Sequence, residues 1–137
     1  AYDVHSYVSY LQDTGSVNVY AGVDPKNAAE TVAAIVDQLA QIRDGLRPGE
    51  LERTRELLKG RMLLRMEDTR AVMSWLGPQE LLTNQVKTVD EVVAELDAVT
   101  EDDLRRVAAG IFTAGSLRAA IVGPFRSDKA FVKALAG

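Results

Sequence analysis

The chain has 137 residues, of which 47% are hydrophobic and 26% charged, as in one ordinary globular domain. Its net charge of −4 disfavours binding to nucleic acid, because phosphates repel an acidic surface. With no cysteine and a single histidine, it cannot form disulfides, cysteine-ligated metal centres or a two-histidine metal site. No apolar run approaches the roughly 18 residues of a membrane-spanning helix, so a membrane is not an expected partner either.

Two stretches near the start of the chain have the alternation of β-strands. Residues 2–11 and 16–23 each alternate between their two faces, and the Asp-Thr-Gly segment at 13–15 supplies turn residues between them. This pattern predicts a β-hairpin. Because the sequence opens inside the first predicted strand, we expect it to be a fragment of a longer polypeptide.

Helical periodicity dominates the middle of the chain. The predicted boundaries are a start at Asp24-Pro25, a stop at Gly45, a second start at Pro48-Gly49-Glu50, a bend or break at Gly77-Pro78, and two further starts near Val89 and Glu101. The last two follow from Thr88 and Thr100, each of which has an acidic residue three positions later, as in a capping box. The helices are therefore predicted mainly from the chemistry of their ends.

The end of the chain is predicted to return to the sheet. An apolar run from Leu117 to Val122, stopped by Gly123-Pro124, predicts a third strand, and Ser127 could cap a short terminal helix. The order β-β-α-α-α-α-β indicates an α+β fold, with an antiparallel sheet packed on one side by several helices. We expect residues 1–137 to form a single domain, truncated because three strands are few for so much helix.

Few side chains could carry chemistry, and each has a simpler structural explanation. His5 needs an orienting carboxylate to act as a general base, and Asp3 lies on the same strand face roughly 7 Å away. A half-exposed strand histidine is the simpler interpretation. The acidic clusters at 67–68 and 101–103 favour helix starts over cation sites.

Two groups of residues in the predicted helices, one basic and one apolar, also have simpler structural explanations. The basic residues are predicted to form a solvated face with salt bridges, and the methionines and tryptophan are predicted to pack in the core. The basic set is Arg47, Arg53, Arg55, Lys59, Arg61 and Arg65, and the second set is Met62, Met66, Met73 and Trp75. A glycine-rich phosphate loop is absent from the sequence.

Several short segments, taken together, are similar to one known family. They are AYDVHSY (1–7), DTG (13–15), VYAG (19–22), GELER (49–53), LLKGR (57–61), EDTRA (67–71), VTEDDL (99–104) and VGP (122–124). The first three resemble the strand pair that follows an Arg-Glu-Lys-x-Gly-Leu-Ala-Tyr segment in the pitrilysin (insulinase) family of zinc peptidases. The others resemble the second-half domain of its bacterial, processing-peptidase-like branch, in the same order along the chain.

The resemblance implies a protein in which two related α+β halves close around a peptide, with zinc held by a His-x-x-Glu-His motif in the first half. This chain has one histidine and lacks that motif, so the zinc would be bound by an N-terminal half outside this sequence. The implied function is the C-terminal-half domain of a zinc-dependent metalloendopeptidase that cleaves peptides or proteins. This domain alone is expected to be inactive.

One residue of this chain matches a catalytic position of the family. The second half contributes an Arg and a Tyr to the site, and Tyr2 matches the Tyr, whereas the Arg would precede Ala1. The resemblance implies that the Tyr2 hydroxyl contacts the oxyanion formed from the scissile carbonyl in the transition state. Without the resemblance, Tyr2 is interpreted as an aromatic residue packing at a strand end.

Two other functions stay open. The chain could be a non-catalytic family member acting as an assembly scaffold, or an unrelated α+β interaction module. The family fold requires residues 117–122 to share the sheet of the hairpin. The expected partners are a peptide or protein substrate, the zinc-bearing half-domain of the same or a partner chain, and a second copy through an unpaired sheet edge, giving a homo-oligomer. We expect a cytoplasmic location, although a chain without cysteine fits export equally well.

Overall fold

The computed structural model describes residues 1–11, 13–113 and 115–136. The chain divides into two compact units, residues 1–44 with 106–137 (unit 1) and residues 45–105 (unit 2). Two compact units can belong to one domain or to two, so the single domain over residues 1–137 stays a prediction. Unit 1 contains a small antiparallel sheet and helices, and unit 2 contains helices, so the α+β class is confirmed.

Unit 1 begins with the predicted hairpin, which is confirmed. Strands β1 (Asp3–Tyr10) and β2 (Gly15–Gly22) are antiparallel, with Asp3 opposite Gly22 and Tyr10 opposite Gly15. The Leu11 N–H donates to the Thr14 carbonyl oxygen at 2.9 Å and closes the turn. A Cβ at Gly15 would lie 2.9 Å from the Ser9 carbonyl oxygen, so glycine permits this close approach of the strands.

The first helix of unit 1 starts where the cap predicts. The Asp24 side chain accepts a hydrogen bond from the Lys26 N–H at 2.9 Å, and a single 3₁₀ turn (Pro25–Asn27) leads into helix α1 (Ala28–Asp44). The helix ends before Gly45, whose φ of 141° is costly for residues with a side chain.

The last helix of the chain packs against α1. Helix α6 (Lys129–Ala136) begins beside Ser127, whose hydroxyl oxygen accepts from the Lys129 N–H at 3.3 Å, as the capping prediction requires. Phe131 is the buried residue of α6, and its ring meets that of Phe125 edge-to-face at 4.9 Å. Burial of Phe131 therefore holds the end of unit 1 together.

Unit 2 is helical, and helices begin near Glu50, Val89 and Glu101 as predicted, but the first of these ends at Arg65, a boundary that the periodicity did not predict. Unit 2 contains α2 (Glu50–Arg65), α3 (Thr69–Pro78), a π-helical turn (Gln79–Thr83), α4 (Val89–Ala98) and the part of α5 (Glu101–Ile111) up to Arg105. The prediction left a bend or a break at Gly77-Pro78 open; in the structure the α-helix continues through Pro78 and passes directly into the π-helical turn. The Gln79 side chain then bridges the turn, donating to the Trp75 carbonyl at 2.9 Å and accepting from the Lys87 N–H at 3.1 Å.

The predicted capping box at the start of α4 is formed. The Thr88 N–H donates to the Glu91 carboxylate at 2.7 Å, and the Glu91 N–H donates to the Thr88 hydroxyl oxygen at 3.2 Å. Bonding from the Thr88 backbone, and then from its hydroxyl, lowers the pKa of Glu91 from its ordinary value of 4.5. The cap therefore favours the ionised form of Glu91.

This lowered pKa predicts a loss of stability in acid. A depressed folded-state pKa contributes stability that is present above pH 4.5 and is lost as the pH falls through the lower folded value. Glu91→Gln keeps a capping oxygen but does not titrate. The difference in unfolding free energy between the natural chain and Glu91→Gln, measured by urea denaturation from pH 7 to pH 3, should shrink below pH 4.5. A difference that stays constant with pH would contradict the assignment.

Part of the basic set joins α2 to α4, so the prediction of an entirely solvated face is wrong for these residues. The Arg55 guanidinium donates to the Leu96 carbonyl at 3.1 Å and to the Val99 carbonyl. The Lys59 ammonium lies 2.5 Å from Asp97, which is the main cause of a raised Lys59 pKa. Carbonyls at a helix C-terminus lack partners inside the helix, and this makes them acceptors for a nearby cation.

The buried core is smaller than predicted. The buried hydrophobic residues are Ala28, Leu51, Ala108 and Phe131. Met73 was expected inside but is exposed, whereas Met62, Met66 and Trp75 are half-buried. The periodicity predicts which face of a helix is apolar, but burial also requires a second element over that face.

The predicted third strand is wrong. Residues 117–122 have no regular secondary structure, and Val122 is fully exposed. In the described residues the sheet consists of β1 and β2 alone. A strand is defined by hydrogen bonds to a neighbour, and an apolar run that does not reach a sheet edge stays irregular.

Candidate functional site

Tyr2 lies immediately before β1, at the open end of the hairpin. Its N–H donates to the Gly22 carbonyl at 2.7 Å, so its main chain is held to the end of β2. Its side chain is 85% exposed and is not packed among apolar residues. The backbone is therefore fixed while the phenol remains accessible, although the catalytic role of Tyr2 stays a prediction.

The structure brings Asp3 and His5 together. Their side chains meet at 3.2 Å between Nδ1 of His5 and the Asp3 carboxylate, and both are more than half exposed. The His5 ring also lies 5.0 Å from the ring of Tyr20 on β2. Among the described residues no hydroxyl nucleophile is hydrogen-bonded to His5, so the geometry favours the half-exposed strand histidine over a catalytic one.

A groove in unit 1 lies beside the start of the chain. Its volume is about 730 Å³, and its lining includes Ala1, Val4, Val19, Ile35 and Leu39 from the hairpin and α1. Its walls come from segments that are distant in the sequence, so local sequence patterns do not predict it. The sequence carries one signal for this site, the strand alternation of residues 2–11.

The described residues do not provide a metal site. No group of three or more histidine, cysteine, aspartate or glutamate side chains among them is arranged to hold an ion. Acidic residues at the helix starts instead cap backbone N–H groups, as Asp68 does for Arg70 at 2.8 Å and Asp103 for Thr100 at 3.1 Å. The zinc implied by the family resemblance does not fit the residues present in this part of the chain.

The described part of the chain also lacks a helix long and apolar enough to cross a membrane.

Comparison with known proteins gives consistent similarities. The sequence model of a family described as "Peptidase M16 inactive domain" matches residues 1–58. A Bacillus subtilis protein named uncharacterized zinc protease is 37% identical over 114 residues, which cover 82% of this chain and 28% of that protein. A Streptomyces coelicolor protein with the same description is 34% identical over 132 residues, covering 95% of this chain and 28% of that protein.

A eukaryotic relative extends the comparison. The mitochondrial-processing peptidase subunit beta of Bos taurus is 27% identical over 123 residues, covering 88% of this chain and 25% of the subunit. The chain thus spans less than a third of the length of each of these relatives. Although residues 117–122 do not form the strand required by the topological test, these sequence similarities exclude an unrelated interaction module.

Proposed function

Because this chain belongs to the pitrilysin, or peptidase M16, family of zinc metallopeptidases, as part of its C-terminal half, we propose that it supplies substrate and transition-state contacts to a zinc-dependent endopeptidase. The proposed substrates are peptides or proteins. The observation that carries the proposal is the accessible phenol of Tyr2 on a backbone held to Gly22. The two bacterial relatives are named as zinc proteases, and these names support zinc-dependent peptide hydrolysis as the reaction class.

The proposed role of Tyr2 is electrostatic. Its hydroxyl donates a hydrogen bond to the carbonyl oxygen of the bond to be cleaved, and this bond strengthens as negative charge develops on that oxygen. A donor held in position before the reaction needs little reorganisation when the charge appears. The hydrogen bond from the Tyr2 N–H to Gly22 provides such positioning for the backbone of Tyr2.

Zinc in this family supplies activated water, and we propose that it is bound outside this chain. The candidate is a half-domain with a His-x-x-Glu-His motif, on the same polypeptide or on a partner chain. Support for a partner comes from the mitochondrial relative, which is named as a subunit. A cytoplasmic location also belongs to the proposal, with export as the alternative.

The proposal is tested by comparing this chain with the polypeptide that also contains the zinc-bearing half. A quenched fluorescent peptide mixture should be hydrolysed by the longer polypeptide, and a chelator should abolish this activity. The 137-residue chain with added zinc should give no hydrolysis. Zinc-dependent cleavage by this chain alone, or full activity of the zinc-bearing half without it, would overturn the proposal.

One alternative within the family keeps support. The matched description names an inactive domain, and the mitochondrial relative is named as a subunit, so a non-catalytic assembly scaffold is the second candidate. An upstream half without the His-x-x-Glu-His motif would favour the scaffold. An intact motif together with chelator-sensitive hydrolysis would favour the enzyme.

A further inference from the structure

Tyr2 is held from two sides, although it lies outside strand β1. The strand begins at Asp3, so the position of Tyr2 depends on its immediate neighbours. Tyr2 is joined to Asp3 along the chain, and its N–H donates to the Gly22 carbonyl at 2.7 Å. Asp3 and Gly22 also face each other in the register of the hairpin. These two residues are therefore the anchors of the Tyr2 backbone.

A pair of rings lies on the hairpin face that carries both anchors. His5 and Tyr20 are directly opposite each other, two residues along each strand from the anchors, and side chains two residues apart in a strand share one face. The two ring centroids are 5.0 Å apart, within the range of favourable ring contacts. The side chains of His5 and Tyr20 therefore join the two strands next to the anchors.

Each of the two rings also reaches one anchor. Nδ1 of His5 lies 3.2 Å from the Asp3 carboxylate. The Tyr20 hydroxyl oxygen lies 3.6 Å from the position that a Cβ on Gly22 would occupy, which is an ordinary van der Waals distance. The ring pair thus contacts the hairpin on both sides of the point where Tyr2 is attached.

These contacts restrict the movement of the two anchors. A shift of Asp3 or Gly22 along its strand would break the hydrogen bond to His5 or move the rings apart. The backbone at Tyr2 therefore has fewer conformations available, and its side chain has fewer directions in which to point. A donor that is already oriented needs little reorganisation when charge develops on the substrate.

We propose that His5 and Tyr20 are positioning residues for Tyr2. By holding Asp3 and Gly22 they orient the phenol toward the oxyanion, and neither ring has to touch the substrate. The inference rests on the proposed function, because this orientation matters only if the Tyr2 hydroxyl takes part in the reaction. It also gives the pairing of Asp3 with His5 a role other than that of a general base.

The test is a double-mutant cycle in the polypeptide that carries both halves. His5→Ala removes the ring contact and the hydrogen bond to Asp3. It should lower kcat about 10-fold, since a small misplacement of a reacting group is costly in rate, and leave KM and bound zinc unchanged. In a Tyr2→Phe background the same substitution should have no further effect, because the hydroxyl that it orients is already absent. Steady-state kinetics and metal analysis measure these quantities.

A second variant and a control come from β2. Tyr20→Ala removes the other ring and should repeat both results of His5→Ala, so it decides if His5→Ala does not fold. Asn18→Ala is the matched control, because Asn18 lies on the same strand and face and donates to the Ser16 hydroxyl at 2.9 Å, near the turn and away from both anchors. Its kcat should equal that of the unmodified polypeptide.

The possible results separate the positioning role from the proposed function. If Tyr2→Phe leaves kcat unchanged, the proposed role of Tyr2 fails, and the positioning role fails with it. If Tyr2→Phe lowers kcat but His5→Ala and Tyr20→Ala do not, or lower it equally in the Tyr2→Phe background, Tyr2 keeps its role and the positioning is overturned. A similar loss in Asn18→Ala would show that any change in the hairpin lowers kcat, and this too would overturn the positioning.

Discussion

Tyr2→Phe, made in the polypeptide that carries both halves, is expected to lower kcat by about 10²- to 10³-fold. The substitution removes one hydroxyl and keeps the ring, so the loss measures the hydrogen bond from the phenol to the developing oxyanion. The bound zinc and the free energy of unfolding should stay unchanged, because the Tyr2 side chain is 85% exposed and this chain's described residues hold no metal site. Steady-state kinetics together with metal analysis would measure both quantities.

The chain contains a matched control for this experiment. Tyr10 lies at the other end of β1 and is 84% exposed, so Tyr10→Phe makes the same chemical change in a similar environment. Its kcat should equal that of the unmodified polypeptide. A rise in KM with an unchanged kcat in Tyr2→Phe would indicate ordinary substrate binding instead of transition-state stabilisation. Equal effects in the two variants would remove the proposed role of Tyr2.

Phe131→Ala is expected to lower the free energy of unfolding by about 3 kcal/mol. Phe131 is 7% exposed, is the buried residue of a helix packed against α1, and meets Phe125 edge-to-face. Its removal would leave a cavity and eliminate the aromatic contact in a unit with few other buried residues. Urea denaturation of the 137-residue chain would measure the change.

Val132→Ala is the control for this second substitution. Val132 follows Phe131 in α6 but is 59% exposed, so its truncation should change stability by less than about 0.5 kcal/mol. A similar loss in both variants would indicate an effect on the helix as a whole. No loss in Phe131→Ala would mean that its burial does not stabilise unit 1.

Local features were predictable because their causes are local. The hairpin follows from alternation and the turn residues at 13–15, and α4 starts at Val89 because Thr88 and Glu91 satisfy each other's backbone N–H groups. The change from α- to π-helix after Pro78 agrees with the missing proline N–H. In each case the interacting groups are a few residues apart, so the sequence contains all the information needed.

Part of the candidate site could be predicted from the sequence. The family resemblance pointed to Tyr2, and the single histidine excluded a two-histidine metal site. The sequence alone could not predict that Arg55 bonds to the carbonyls at the end of α4, because its acceptors are 41 and 44 residues away. Nor could it predict the groove between the hairpin and α1, whose walls meet only after folding.

The types and most of the ends of the elements were thus readable from the residues, since periodicity and capping act over short distances, whereas the family came from a resemblance of short segments. Tertiary packing decided that Phe131 is buried while Met73 is exposed, and that residues 117–122 do not join the sheet. The physical reason is that burial and strand pairing each need a partner surface, and the position of that surface depends on the whole chain.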